Sequence, residues 1–342
     1  MSNGSPKVTV FMPVHNREPF VEESIGSVLA QSFRDFELLV IDDGSTDESA
    51  ARIRAIDDPR IRLVHNEENL GIPRTRNRGL ELARGEYIAL LDSDDFAYPN
   101  RLALQVDFLD RNAEICAVGG WAHRISRDGR PRSPIVRPIS PRQLRGQILF
   151  ATCFKNPTMM ARMSVMREFG YRDEFVYCQD IDLWARMSKK YPLANLPEFL
   201  IRYRLGGDSH QSESLARNLK SRVARDQLHD LGIEASESEL EGHQRLRNLN
   251  DFEPTAEFID WSRAWLLRLI ESNARHHCHP EPEFSQAAAE RWYLLLLAAG
   301  PRFWPTRLFS TGPFARALPG VLGNLARRSG QVLARYNPLR SS

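Results

Sequence analysis

The chain contains no GxGxxG, no GxxxxGK(S/T) and no GxSxG. Its first strand-like run leads into Pro13-Val14-His15-Asn16 instead. A dinucleotide-binding turn, a P-loop and a hydrolase nucleophile elbow are therefore disfavoured. Cysteine is scarce: Cys116, Cys153, Cys178 and Cys278 are far apart and form no CxxC. They fit unpaired thiols in a reducing compartment. No apolar run reaches eighteen residues, so no conventional transmembrane helix is expected. The opening MSNGSPKVTVF lacks the apolar stretch of a secretory signal, and a cytoplasmic setting is the expectation. Net charge is only +2 over 342 residues, which gives no case for nucleic acid as a partner. One deficit is local. From Pro301 to Ser342 there is no acidic residue, but there are seven arginines together with Phe303, Trp304, Phe309, Phe314 and Tyr336.

What is present begins with an alternation of strand-like and helix-like segments from about residue 7 to 121. Apolar runs at Lys7–Met12, Glu37–Ile41, Ile61–Val64, Tyr87–Leu91 and Ile115–Gly119 read as strands. Helical spacing over Pro19–Gln31, Pro73–Arg84 and Arg101–Arg111 separates them, with a further helix capped at Ser45 or Thr46. This rhythm predicts an α/β fold: a mostly parallel central sheet with helices on both faces. Arg124–Pro141 is basic and turn-rich, and Pro141–Phe150 has helical spacing. An amphipathic helix is expected over Asp180–Lys190 and a short strand over Phe199–Tyr203. After Gly206-Gly207 the pattern is all-helical. The expected organisation is a catalytic domain over 1–212, a helical extension over 213–300 and a basic aromatic tail over 301–342. Within the first, about 7–121 would bind nucleotide and about 122–212 would face an acceptor.

Two strand-like runs end in acid. The first stops at Asp42 and Asp43, the second at Asp92, Asp94 and Asp95. Open α/β sheets place ligands at the carboxyl ends of their strands. Three carboxylates in four residues repel one another unless a cation or hydrogen-bond donors compensate. A hard divalent ion shared with a diphosphate, Mg²⁺ or Mn²⁺, suits such a cluster; a solvated acidic loop is the plainer alternative. Asp94 is the prime ligand candidate, with Asp92 orienting a ribose hydroxyl or helping the metal. Asp42 or Asp43 could meet a base N–H or simply cap a helix. Asp180, at the start of a helix, could serve as a general base or as an ordinary cap. Arg76 and Asn77 could face a nucleotide. Tyr203-Arg204 leads into a polar stretch in which His210 could complete a metal sphere. Asn273–His279 has no partner cluster at zinc-finger spacing and reads as a helix end.

Taken together, VTVFMPVHN, EESIGSVLAQSF, FELLVIDDGSTD and ENLGIPRTRNRGLELARGEYIALLDSDD, in that order, resemble the inverting glycosyltransferases of family 2, with the GT-A fold. The likeness covers about Lys7–Ser212. It implies a nucleotide-sugar site built from Pro13, His15, Asn16, Glu18, Asp42, Asp43, Arg76, Asn77, Asp92, Ser93, Tyr203 and Arg204. It implies metal ligation by Asp94, with Asp92, Asp95 and His210 as further candidates. It also implies Asp180 as catalytic base; the family's Glu-Asp pair reads Gln179-Asp180 here. The implied reaction transfers sugar from a nucleoside-diphosphate donor, UDP or dTDP favoured, to a glycan or lipid-linked hydroxyl. A non-catalytic sugar-nucleotide scaffold and a sugar nucleotidyltransferase are the competing readings. Trp292-Tyr293, Leu294–Leu297 and the arginine-rich tail suggest an anionic membrane surface as partner, with a packed helical bundle as the alternative.

Overall fold

A computed structural model describes residues 4–206, 212–249, 252–301 and 313–335. They form two compact units. One comprises residues up to 139 together with 154–206; the other comprises 140–153 and the residues from 212 onward.

The first unit is built on eight strands: β1 (Val8–Val14), β2 (Phe36–Asp42), β3 (Ile61–His65), β4 (Tyr87–Leu90), β5 (Phe96–Ala97), β6 (Ala117–Ile125), β7 (Met160–Arg162) and β8 (Leu193–Arg204). Their order is β3-β2-β1-β4-β7-β6-β8-β5. β1 pairs in parallel with β2 and β4, β2 with β3, and β6 with β8. β7 runs antiparallel between β4 and β6, and β5 is antiparallel on β8. The sheet is thus mostly parallel, as the alternation predicts. β1, β2 and β4 are buried almost throughout because both faces are covered. Val14 lies beside Asp42 in the β1–β2 register, so the segments that follow these strands emerge side by side.

Helices α1 (Val21–Leu29), α2 (Ser49–Arg54), α3 (Ile72–Leu82), α4 (Arg101–Arg111), α6 (Met163–Phe169) and α7 (Gln179–Lys190) belong to this unit; α5 (Pro141–Gln147) belongs to the other. Several boundaries differ from the sequence expectation for identifiable reasons. The helix expected to be capped at Ser45 or Thr46 starts at Ser49, because Asp47 binds the Ser49 amide at 3.0 Å and the Glu18 amide at 3.0 Å. β8 is twelve residues long rather than a short run from Phe199. Its pairing with β6 slips between Asn195 and Phe199, the stretch containing Pro197, which has no amide to give the ladder.

The second unit packs α5 with α8 (Glu213–Asp230), α9 (Glu237–Arg247), α10 (Ala256–His276), α11 (Glu283–Ala299) and α12 (Pro313–Arg335). Ser140–Cys153 joins these helices because Leu149 and Phe150 are buried in their core beside Leu228, Trp265 and Phe284. The sequence grouped that segment with the acceptor side of the catalytic region. Ser236 and Glu239 form a reciprocal capping box that starts α9. Trp292 is buried and stacks on Phe314 with ring centroids 5.5 Å apart. These two aromatics of the suggested membrane face are therefore engaged in the core, whereas Leu294 and Leu297 are exposed. Phe303, Trp304, Phe309 and Tyr336 lie outside the described residues. Among the described residues no helix is long and apolar enough to cross a membrane.

His243 sits fully buried in this core. Its Nε2 donates to the Leu149 carbonyl at 3.1 Å and its Nδ1 accepts from the Trp265 indole at 3.2 Å. Burial pushes its pKa from 6.5 down to about 3. The unfolded chain therefore takes up a proton that the folded core refuses, so stability falls as pH drops below 6.5, by up to ~1.4 kcal/mol per pH unit. Melting temperatures between pH 7.5 and 5 should fall less steeply in His243→Gln than in the wild type. His123, also pulled down by burial, leaves a residual slope. Identical slopes would rule out this linkage.

Candidate active site

The first unit carries a cleft of about 520 Å³, lined by residues that follow β1, β2 and β4, by the start of α7 and by the end of β8. Ten of the sequence-derived candidates line it: Pro13, His15, Asp43, Arg76, Asp92, Ser93, Asp94, Asp180, Tyr203 and Arg204. The remaining candidates are placed elsewhere, except His210, which lies outside the described residues.

After β2 the two acids divide their work. Asp42 is buried; its Oδ2 contacts His65 Nδ1 at 3.0 Å and its Oδ1 accepts the Ser45 amide at 3.3 Å. Asp43 accepts from Asn66 Nδ2 at 2.5 Å and from the amides of Leu70 and Gly71 at 2.9 and 3.1 Å. It thereby pins the loop that feeds α3. Gly44 between Asp43 and Ser45 has φ +69°, and a Cβ there would come within 2.8 Å of the Asn69 amide nitrogen. Only glycine permits that approach. His15 Nδ1 donates to the Asp43 carbonyl, 2.9 Å away. Asn16 and Glu18 act on the scaffold: Asn16 Oδ1 accepts the Thr46 amide at 2.8 Å, and Glu18 pairs with Arg52 at 2.9 Å. Asn77 clamps the backbone of Tyr171, donating to its carbonyl and accepting its amide, each at 2.8 Å.

The acids after β4 also separate. Asp92 and Asp94 face the cleft; Asp95 is buried. Asp95 Oδ1 accepts the Arg204 amide at 2.8 Å, and its Oδ2 has no hydrogen-bond partner. Burial, then Asp92 and Asp94, push its pKa well above the ordinary aspartate range. Asp94 is raised too, first by burial and then by Asp92, with Arg17 and Arg204 opposing. Arg17 Nε is 3.6 Å from Asp94 Oδ2, and Arg76 Nη2 is 3.5 Å from Asp92 Oδ1. With its oxygen turned toward Arg76, the Asn156 carboxamide accepts from both guanidinium Nη groups at 3.0 Å. Arg204 is a strut rather than a free cation. It donates to the Asp94 and Arg127 carbonyls at 3.0 and 2.8 Å, pairs with Glu23 at 2.8 Å, and lies over the Phe20 ring.

Asp180 occupies the first turn of α7, whose start is fixed by a strained residue. Cys178 adopts φ 60°, ψ 19°, a left-handed conformation uncommon outside glycine and asparagine. Asp182, one turn into the helix, pairs with Arg186 at 2.8 Å, and Arg186 also donates to the carbonyls of Phe169 and Gly170. α7 is thereby anchored, and Asp180 is presented at the cleft. Arg17, Asn69, Lys155 and Asn156 line the same space and are not among the sequence-derived candidates. Lys155 and Asn156 fall between two weakly patterned segments, where no charge cluster marks them.

Among the described residues no group of three His, Cys, Asp or Glu side chains forms a metal-binding cluster. Two cleft-facing carboxylates nevertheless fit Mg²⁺ or Mn²⁺. Such ions use one or two protein carboxylates and take their remaining oxygens from water and substrate phosphates. Burial and the neighbouring Asp92 both disfavour the ionised Asp94, a penalty that a bound cation would offset.

Comparison with known proteins decides the family. Residues 9–175 match the profile of Glycosyl transferase family 2. An uncharacterized glycosyltransferase of Haemophilus influenzae is 30% identical over 247 residues, which cover 67% of this chain and 76% of that one. The chain belongs to glycosyl transferase family 2. WcaA of Escherichia coli, named as a colanic acid biosynthesis glycosyl transferase, is 30% identical over 199 residues, 55% of this chain and 68% of its own. Residues 1–349 of S. aureus TarS, solved with UDP-GlcNAc, give a TM-score of 0.57 at 19% identity, covering 96% of this chain and 93% of that one. The shared fold is GT-A.

The geometry separates a structural acid from those exposed to ligand. Asp95→Ala orphans the buried Arg204 amide and should lower stability by about 1–3 kcal/mol in denaturant unfolding. Asp95→Asn keeps an acceptor and should lose less. Equal losses would show that the Arg204 bond is not what Asp95 contributes.

Proposed function

We propose that this glycosyltransferase moves a sugar from a nucleoside diphosphate to a hydroxyl of a glycan or lipid-linked acceptor, with inversion and with help from a divalent cation. The observation that carries the reading is the convergence of Asp92, Asp94 and Asp180 on one cleft from two separate elements. Asp180 is the general base: it takes the acceptor proton as that oxygen attacks the anomeric carbon from the face opposite the leaving group. Alignment of base, oxygen and carbon must be close, and the anchored start of α7 supports it. Asp94, with Asp92, would hold Mg²⁺ or Mn²⁺, which supplies positive charge for the departing diphosphate when bound. The segments carrying Pro13, His15, Asp43 and Arg76 offer the nucleotide its contacts.

TarS, which shares the fold, was solved with UDP-GlcNAc, and this supports a nucleotide-sugar donor, UDP or dTDP favoured. The name of WcaA supports a place in envelope polysaccharide synthesis; a location on the cytoplasmic side of the membrane, peripheral to it, is part of the same proposal. The one-chain division of labour we favour assigns the first unit to catalysis and the helices to acceptor or surface contact.

Calorimetric titration and nucleoside diphosphate release across UDP-, dTDP- and GDP-sugars test the assignment. Asp94→Ala should lose metal-dependent donor binding. Asp180→Asn should bind donor within a few-fold of wild type yet lose ~10²–10⁴ in turnover, the usual range for a general base. Retained turnover in Asp180→Asn would remove it as the base. Pyrophosphate among the products would point to nucleotidyl transfer instead.

A further inference from the structure

Four cations line the cleft: Arg17, Arg76, Lys155 and Arg204. Three of them have hydrogen-bond or ion-pair partners among the described residues. Arg17 donates to the carbonyls of His15 and Asn16 and faces Asp94. Arg76 faces Asp92 and Asn156. Arg204 is tied to two carbonyls and Glu23. Lys155 is different. Its ammonium rests on the face of the Tyr203 ring, 3.5 Å from the centroid. A cation–π contact holds the charge in place, and among the described residues no hydrogen bond engages its N–H donors.

The backbone fixes where this charge sits. Lys155 immediately precedes a 3-10 turn at Asn156–Thr158, and its carbonyl accepts both the amide and the hydroxyl of Thr158, at 2.8 and 2.7 Å. The turn in turn leads into β7, which lies beside β4. Asp92, Asp180 and Asp95 are the carboxylates that act on the Lys155 charge, against a burial that disfavours it. Lys155 lines the same cleft as both the metal-side acids Asp92 and Asp94 and the base Asp180. Under the reaction proposed above, the bond to be broken must lie between those two groups.

Resting on that reading, we propose that Lys155 is a catalytic residue for transfer, its ammonium donating a hydrogen bond to the sugar-proximal phosphate of the leaving nucleoside diphosphate. As the acceptor oxygen forms its bond to the anomeric carbon and its proton passes to Asp180, the anomeric C–O bond breaks. Its electron pair stays on the phosphate oxygen, and Lys155 meets the charge that develops there. A preplaced donor in a partly desolvated cleft is worth more at that moment than in the ground state. The platform is Tyr203, whose part is to position Lys155.

The test compares wild type with Lys155→Met, Lys155→Arg and Tyr203→Leu. Donor hydrolysis is followed by nucleoside diphosphate release with Mn²⁺ and whichever UDP-, dTDP- or GDP-sugar the wild type turns over, alongside melting temperatures. Lys155→Met should lose ~10²–10³ in kcat with donor KM changed less than about five-fold. Lys155→Arg should recover at least ten-fold of that loss, and Tyr203→Leu should lose less than Lys155→Met. Unchanged kcat in Lys155→Met would overturn the proposal. So would an equal loss in Lys155→Arg accompanied by a lowered melting temperature, which marks a packing role, or a change confined to KM. Absence of donor binding and turnover in the wild type would instead overturn the transferase reading on which the proposal rests.

Discussion

A fully buried arginine underlies the acidic end of β4. Arg101 donates to the carbonyls of Leu90 and Met159 at 2.6 and 3.2 Å and to Gln105 Oε1 at 3.1 Å. Gln105 in turn donates to the carbonyls of Val118 and Thr158. One guanidinium and one carboxamide thus bind the ends of β4, β6 and β7 to α4. Burial pulls the Arg101 pKa down to about 9, with Asp95 and Asp92 pulling it back. At neutral pH it keeps its charge, and that charge makes an acid cluster at the end of a buried strand tolerable. A buried cation without these carboxylates, or the carboxylates without it, would be strongly unfavourable.

The compensation is incomplete, and the incompleteness has a location. Asp95 is shielded by the Arg204 amide and remains raised; Asp94 is raised although Arg17 and Arg204 oppose it. A cleft whose acids are under-neutralised favours any ligand that brings positive charge. A diphosphate alone would add negative charge beside Asp92 and Asp94, whereas a diphosphate with a divalent cation would relieve them. The same arithmetic gives the local cations their roles. Arginines, with fixed forks of donors, are used as struts between backbone segments. The lysine of the cleft, a compact charge on a flexible stem, is held on a ring and has no hydrogen-bond acceptor among the described residues.

Much of this was legible in the sequence, for reasons that differ along the chain. The strands β1, β2 and β4 are apolar runs ending in proline or acid, and the alternation with α1, α3 and α4 gives a parallel sheet without further information. Asp92, Asp94 and Asp180 could be found because carboxylates at strand ends and helix starts are chemically conspicuous. What stayed hidden depends on contacts distant in sequence. β5 is two residues long and exists through pairing with Arg202 and Ile201. α6 is seven residues between β7 and a glycine. Ser140–Cys153 reads as a helix in passing, yet only the burial of Leu149 and Phe150 shows which unit it serves. Lys155 has no local signature at all: its meaning comes from Tyr203, 48 positions away along the chain by their numbers.

The pair Asp42-Asp43 shows how a motif can carry two tasks that spacing cannot separate. Strand alternation turns adjacent side chains to opposite sides. Asp42, the last residue of β2, is directed at His65, its register partner on β3. Asp43, one step past the strand, turns instead to the amides that begin α3. Each acid is satisfied by a different neighbour, and together they hold β3 and the α3 loop to the mouth of the cleft. Any further contact by the Asp42 carboxylate would have to compete with its bond to His65. Asp43, already accepting three hydrogen bonds, shapes the cleft through the loop it closes.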